Sequence, residues 1–282
     1  MPAPSPEPLP PLRVAALLRA HGLRPSKRLG QNFLIDETAL RKIVAAAEIT
    51  ARDTVLEVGA GLGSLTRYLA EVAQRVVAVE LDRRLLPVLR AVLSGYTNID
   101  IVQGDILALS PGDLVQSPDY LVVANIPYHI TSALLRHLLE AHPRPRRMVL
   151  TVQKEVAERI CATAGKMSLL ALSVQVYGVP EIVARIPAGA FYPTPEVDSA
   201  VIRIDLSAGP RLPVTHLDEF FRLARAAFAQ RRKTLRNALA AGLGISPEQA
   251  AERLRAAGID PQRRAETLSL EEWERLTQTF LP

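Results

Sequence analysis

Strand-like and helix-like patterns alternate through the middle of this chain, and that alternation leaves it few folds to choose from. Short β-branched runs occur at residues 54–58, 76–80, 99–103, 120–124 and 147–153. Helical periodicity fills the gaps between them, most clearly at 64–71, 82–93 and 131–140. Strands separated by helices cannot pair as hairpins, so the pattern predicts an α/β fold with a doubly wound, mostly parallel sheet. Two further apolar runs, near 173–178 and 200–205, are read as strands that bring the sheet to seven. After Leu206 the character changes. Ser207-Ala208-Gly209-Pro210 and Pro213 read as a linker, and only helical patterns follow, at 216–229, 231–241, 247–257 and 269–280. Residues 207–282 are therefore expected to form a small all-α domain behind a sheet domain at 12–206. No internal repeat is visible.

With 282 residues, 48% of them hydrophobic and 22% charged, the chain has the composition of an ordinary globular protein with a substantial core. Residues 1–11 are rich in proline and are expected to form a disordered tail. No basic-then-apolar signal pattern opens the chain, and no apolar run reaches the ~18 residues a membrane helix needs. The single cysteine, Cys161, has no partner for an internal disulfide and belongs to no metal cluster, which fits a reducing, cytoplasmic setting without a metal or a membrane. The net charge of +5 favours a polyanionic partner, and its distribution is more informative. Between Leu12 and Leu34 stand five basic residues (Arg13, Arg19, Arg24, Lys27, Arg28) and no acid. Between Arg222 and Pro247 stand six more (Arg222, Arg225, Arg231, Arg232, Lys233, Arg236), again without an acid. Each run reads either as a solvated helix face or as a phosphate-binding surface.

Open parallel sheets bind ligands beyond the carboxyl ends of their strands. The strand Thr54–Val58 runs straight into Gly59-Ala60-Gly61-Leu62-Gly63 and a helix from Ser64. Glycines such as Gly59 and Gly61 let the backbone turn tightly and approach a ligand closely. The spacing is not that of the dinucleotide fingerprint, and the preceding acid, Glu57, suits a cationic ligand better than a pyrophosphate. The aminoacyl end of S-adenosylmethionine is such a ligand. Glu80, ending the next strand, can accept hydrogen bonds from both ribose hydroxyls, and Asp105, after the third, can take an adenine amine. Each has a plain alternative, Glu80 as a strand-end charge and Asp105 as a turn residue. Their succession at consecutive strand ends favours a nucleoside pocket. The fourth strand then delivers Asn125-Ile126-Pro127-Tyr128. Here a side-chain carbonyl, a backbone carbonyl held extended by the following proline, and an aromatic face can clamp a planar base by its exocyclic amine.

With these blocks in hand, the chain closely resembles the KsgA/RsmA family of small-subunit ribosomal RNA adenine dimethyltransferases. The likeness covers nearly all of the chain after the tail. It is carried by the segments Lys27–Leu34, Glu57–Gly63, Glu80–Asp82, Asp105, Asn125–Tyr128, Gln153–Val156, Phe191–Ser199 and Phe228–Asn237. The resemblance implies a Rossmann-like class I methyltransferase at 12–206 and a helical RNA-binding domain at 207–282. It also implies S-adenosylmethionine as cofactor, and transfer to N6 of two adjacent adenosines near the 3′ end of 16S rRNA. The expected partner is that RNA or the immature 30S subunit, and the expected state is a monomer. The family's cofactor positions fall on Asn32, Leu34, Gly59, Glu80, Asp105 and Asn125. Asn125, Ile126 and Tyr128 match its base clamp. Phe191 matches an aromatic on the far side of the target base, with core packing as the alternative. Arg231, Arg232, Lys233 and Arg236 are expected to contact RNA.

Three positions depart from the family's usual pattern. Ile126 replaces leucine, His129 replaces a frequent asparagine, and Lys166-Met167-Ser168 replaces a Tyr-Gly pair. The nearest rival reading is an Erm-type 23S rRNA adenine methyltransferase. A non-catalytic RNA-binding assembly factor is the rival of another class. A nicotinamide dehydrogenase is more remote, because both the glycine spacing and a hydride-transfer partner are wanting.

Overall fold

The computed structural model describes residues 9–230 and 232–281. Its elements run in chain order as helix α1 (Val14–Ala20), strand β1 (Phe33–Leu34), α2 (Glu37–Ala47), β2 (Thr54–Val58), α3 (Ser64–Ala70), β3 (Arg75–Glu80), α4 (Leu86–Val92), β4 (Ile99–Gln103), α5 (Pro111–Val115) and β5 (Tyr120–Asn125). They continue as α6 (Thr131–Leu139), β6 (Arg147–Gln153), α7 (Lys154–Ile160), α8 (Leu169–Gln175), β7 (Val179–Ile186), β8 (Phe191–Tyr192), β9 (Ser199–Asp205), α9 (Val214–Phe228), α10 (Leu235–Leu243), α11 (Pro247–Ala256) and α12 (Leu270–Phe280). The contacts within the chain divide it into two compact units, residues 1–154 with 183–203, and residues 155–182 with 204–282. The composition-based boundary at 206/207 lies close to the third crossing, at 203/204. The segment 155–182, however, clusters with the C-terminal helices rather than with the first unit.

Seven strands form one sheet in the order β4-β3-β2-β5-β6-β9-β7. The run from β4 to β6 is parallel throughout, with Leu56 level with Val77 on one side and with Val122 on the other. Successive strands step outward from β2 to β4, then return to the far side of β2 with β5. Strand order therefore reverses between β2 and β5, and the crevice this opens lies at their carboxyl ends. β2 is buried along its whole length, as a strand covered by helices on both faces must be. One core cluster takes Leu40 and Ile43 of α2, Leu65 and Leu69 of α3, and Val55, Val76, Leu121 and Val149 from the strands. A smaller one joins Val14 and Leu18 of α1 to Phe33, Leu62, Leu85 and Val88.

The second unit is helical where the periodicity predicts helix, with two adjustments. The apolar run near 173–178 is not a strand: residues 169–175 form α8, and the strand begins at Val179. A continuous apolar run has no decisive period, and the local signal that decides it is Ser168, whose hydroxyl accepts from the Ala171 amide and caps the helix. The same serine belongs to the Lys166-Met167-Ser168 departure, whose Met167 amide donates to the Glu266 carbonyl. Helix α10 starts at Leu235 rather than at 231, because Lys233 N–H closes a turn on the Gln230 carbonyl first. Arg231 and residues 1–8 of the proline-rich tail lie outside the described residues. The tail's end is held, since Arg67 donates to the Pro10 carbonyl at 2.8 Å. Burial lifts the Cys161 thiol to about 11, so it is inert at neutral pH. No described helix is long and apolar enough to cross a membrane.

Candidate active site

The glycine turn after β2 is shaped by its backbone. Gly59, Gly61 and Gly63 all have positive φ, of 76°, 60° and 85°. The conformation is strained for any residue with a Cβ, and a Cβ on Gly61 would also press on the Phe33 ring at 3.1 Å. The turn is fastened to β3, because the Gly59 and Ala60 amides both donate to the Val79 carbonyl, at 2.8 and 3.1 Å. Beside it opens a cleft with about 990 Å³ of empty space, continuous with solvent. Asn32, Leu34, Gly59, Gly61, Glu80, Asp105, Asn125, Ile126 and Tyr128 all line that cleft. Nine residues named from the sequence therefore converge on one site.

The acids of the site are held differently from one another. Glu80 is only 6% exposed, and its Oε2 accepts from the Gly61 amide while its Oε1 accepts from the Asp82 amide, both at 2.7 Å. Each oxygen keeps a lone pair for a further donor such as a ribose hydroxyl. Burial raises its pKa against the pull of those amides. Glu57 is 1% exposed and its Oε2 has no hydrogen-bond partner among the described residues. Burial, with the nearby Glu80 charge adding to it, lifts this carboxyl to about 8. An orphaned acid oxygen beside a glycine cradle fits a ligand that is cationic at one end and carries ribose at the other. Asp105 is exposed in a turn, with Oδ1 accepting from the Leu107 amide and Oδ2 left for a ligand. Asp82 sits at about 2, held down first by the Arg84 guanidinium and also by Gln31. Gln31 escaped the sequence reading as a site residue. It lines the cleft, and it ties the N-terminal segment to β3 through Asp82 at 3.0 Å.

At the end of β5, the Asn125 Nδ2 donates to the Asn32 carbonyl at 3.1 Å. That bond uses the amide's donor side and leaves Oδ1 as an acceptor toward the cleft. Ile126 is buried, so its side chain anchors the turn while its carbonyl stays on the main chain of the clamp. Tyr128 is half-buried, and its hydroxyl shares a 2.7 Å hydrogen bond with Ser199 of β9. Ser199 closes the Phe191–Ser199 segment, and no local sequence signal points to this contact. Burial raises the Tyr128 phenol, so the group is not poised to take a proton. His129 is exposed, and its ring stands where a Cβ on Gly30 would meet Nδ1 at 2.9 Å.

Phe191 departs from expectation. It is 2% exposed, pairs with Leu34 in the β1–β8 ladder, and belongs to the core cluster of Leu40, Ile43 and Val149 rather than to the cleft lining. Alternate residues of a strand face opposite ways, and in β8 it is Phe191 that turns inward. In this structure it is a core residue. Of the residues expected to bind RNA, Arg232 and Lys233 are exposed, whereas Arg236 is partly buried and donates to Asn237 Oδ1 at 3.1 Å.

A doubly wound sheet, a glycine turn and strand-end acids facing an Asn-Ile-Pro-Tyr clamp together define a Rossmann-like, S-adenosylmethionine-dependent methyltransferase. The model of the family described as ribosomal RNA adenine dimethylase matches residues 22–280, and the chain belongs to that family. The ribosomal RNA small subunit methyltransferase A of Dehalococcoides mccartyi (strain CBDB1) is 51% identical over 261 residues, covering 92% of this chain and 90% of the relative. The crystal structure of the 23S rRNA methyltransferase ErmE superposes with a TM-score of 0.73 at 32% identity, over 88% of this chain and 99% of that one. A dimethyladenosine transferase from Plasmodium falciparum gives 0.74 at 26% identity, over 86% and 95%.

Proposed function

We propose that this enzyme transfers methyl groups to N6 of two adjacent adenosines near the 3′ end of 16S rRNA. It would work as a cytoplasmic monomer, on the RNA or on the immature 30S subunit. The Asn125–Asn32 hydrogen bond carries the site assignment, because it turns Asn125 Oδ1 into an acceptor with a fixed direction. The higher identity to a small-subunit enzyme than to ErmE favours the 16S target over the 23S one.

S-adenosylmethionine supplies an electrophilic methyl group on a sulfonium. The chain's own groups do the rest. Glu57 lies where the cationic end would be held, Glu80 where the ribose would be, and Asp105 where the adenine amine would be. The target amine is a poor nucleophile because its lone pair is delocalised into the ring. Asn125 Oδ1 and the Ile126 carbonyl accept its two hydrogens and favour a pyramidal nitrogen whose lone pair faces the methyl group. The same acceptors stabilise the positive charge that develops on that nitrogen. Tyr128 stacks on the flipped base and offsets part of the unstacking cost, a few kcal/mol. Its hydroxyl is occupied by Ser199 and takes no proton; the proton leaves to solvent after transfer. For the second methylation the amine has one hydrogen left to donate, so one acceptor loses its hydrogen bond and makes room for a methyl group. Positioning, rather than acid–base chemistry, supplies the rate.

Mass mapping of rRNA from cells lacking the protein tests this reading. Two adjacent dimethyladenosines near the 16S 3′ end should disappear and return with the wild-type gene. Their persistence, or loss of a 23S mark instead, would overturn the assignment. A second role as an assembly checkpoint would survive in an inactive variant that still restores subunit maturation.

A further inference from the structure

The two acid-free basic runs differ in one respect: an ion pair is present in the C-terminal run, at Arg222, and none in the N-terminal run among the described residues. Arg222, in the C-terminal run, makes two hydrogen bonds to Glu219, at 2.8 and 2.6 Å. In the N-terminal run Arg13, Arg19, Arg24, Lys27 and Arg28 are all exposed, and none is ion-paired with a described residue. Elsewhere in the first unit Arg41, Arg75, Arg84, Arg136 and Arg146 each hold an acid. Five uncompensated cations within sixteen residues repel one another, so the surface carries a standing cost that an anion would relieve.

The segment is nevertheless rigidly placed. Val14 and Leu18 bury one face of α1 in the cluster with Phe33, Leu62, Leu85 and Val88. The Ser26 amide donates to Gln31 Oε1 at 2.7 Å, and Ser26 Oγ accepts from the Leu29 amide, closing a short 3-10 turn over Lys27–Leu29. Gln31 then reaches Asp82. Leu29, Gly30 and Gln31 line the cleft beside Pro127 and Tyr128, and Gly30 lies against both Pro127 and His129. Lys27 and Arg28 are thus one or two residues from the rim of the base clamp, on backbone that is already ordered. Preordered cations lose little entropy on binding a phosphate.

We propose that Arg13, Arg19, Arg24, Lys27 and Arg28 form a second RNA-backbone seat, which holds the phosphates flanking the target adenosine at the mouth of the cleft. It rests on the proposed RNA substrate, and it adds to the C-terminal basic residues a contact surface in the methyltransferase unit itself. The seat reads phosphate rather than sequence, so its signature is electrostatic.

The test compares three full-length proteins: wild type, a variant with all five residues changed to Gln, and a control carrying Arg41→Gln, Arg75→Gln and Arg136→Gln. Binding of a 16S rRNA 3′-domain fragment is measured from 0.05 to 0.3 M salt. Each lost contact to single-stranded RNA lowers the log–log salt slope by about 0.7, so losing three contacts lowers it by about 2 and weakens binding on the order of 100-fold at 0.1 M salt. The control should stay within about threefold of wild type, since exposed ion pairs change little. Cofactor affinity by calorimetry should be equal in all three, which shows that the strip variant is folded with its cleft intact. A strip variant with wild-type slope and affinity overturns the proposal while leaving the proposed function standing. If wild type methylates no 16S fragment or subunit, it is the functional reading that fails. Loss of binding to phosphatidylglycerol vesicles with undiminished RNA binding would assign the strip to a lipid surface and also overturn the proposal.

Discussion

The two sides of the cleft handle polarity in opposite ways. At the ends of β2 and β3 stand two carboxyls, Glu57 and Glu80, almost wholly removed from water. At the end of β5 stand neutral groups: the amide of Asn125 and the phenol of Tyr128, each only partly removed from water, and the main-chain carbonyl of the buried Ile126. Burying a charge is costly unless a partner of opposite sign arrives, whereas a neutral carbonyl is desolvated at a far smaller cost. The acid side is therefore built for a ligand that brings its own cation, and it is strained until that ligand is present. The neutral side is built for a base that enters and leaves on each turnover, and it forms the same hydrogen bonds without a change of protonation.

The sharpest way to break this contrast is to remove the charge of Glu57 and keep its shape. Its pKa is about 8 in the ligand-free fold, against 4.5 for an ordinary glutamate. Between those values the folded state binds more protons than the unfolded chain, so stability falls as pH rises through this window. At about 1.4 kcal/mol per pH unit the loss amounts to about 3–5 kcal/mol by pH 8. Glu57→Gln should therefore match wild type at pH 5 and exceed it by most of that amount at pH 8 in denaturant titrations without cofactor. With saturating S-adenosylmethionine the order should narrow or reverse, because the ligand's cation favours the carboxylate only in wild type. A variant that kept the wild-type pH slope would show that Glu57 is not the strained acid.

Glu80 is the next largest. In the proposed role Glu80 accepts from the ribose hydroxyls; Glu80→Ala would remove that acceptor, and it orphans the Gly61 and Asp82 amides that shape the turn. Hydrogen bonds to a charged group contribute about 1.5–3 kcal/mol each, so the dissociation constant for S-adenosylmethionine should rise on the order of 100-fold by calorimetry. An unchanged constant would take Glu80 out of the site and leave it a structural brace for the glycine turn.

How much of this was legible beforehand follows the same division. Glycines, strand-end acids and the Asn-Ile-Pro-Tyr turn are local signals, each tied to a strand boundary, and they line one cleft. Contacts between distant segments left no such mark. Nothing in the sequence around Tyr128 points to Ser199, seventy-one residues on, and Gln31 reaches Asp82 across fifty-one. The inward turn of Phe191 depends on its register against Leu34, which one strand alone does not specify. The helix at 169–175 was hidden for a different reason, since its apolar run lacks a period and only the serine cap betrays it.

On the neutral side the effects are smaller and fall on turnover rather than cofactor affinity. Stacking of a base on an aromatic ring contributes about 1–3 kcal/mol. Tyr128→Ala should therefore lower methyl transfer to RNA by about 10- to 100-fold, while the dissociation constant for S-adenosylmethionine stays within about twofold. Full activity would remove the stacking role. Loss of cofactor binding to the same extent as in Glu80→Ala would erase the contrast between the two sides.

The smallest change isolates the long-range contact that holds the aromatic ring of that side. Ser199 is fully buried, and its hydroxyl fixes the Tyr128 ring by a single 2.7 Å hydrogen bond. Ser199→Ala should cost about 1 kcal/mol of stability. It should slow methyl transfer by less than about tenfold, because the ring remains and only its angle is released. Tyr128→Phe cuts the same bond from the other end and should give the same rate. The two changes combined should be no worse than either alone, as expected for partners in one interaction. If Tyr128→Phe slows the reaction much more than Ser199→Ala, the phenol hydroxyl has a task beyond holding the ring, and the clamp is not made of neutral acceptors and stacking alone.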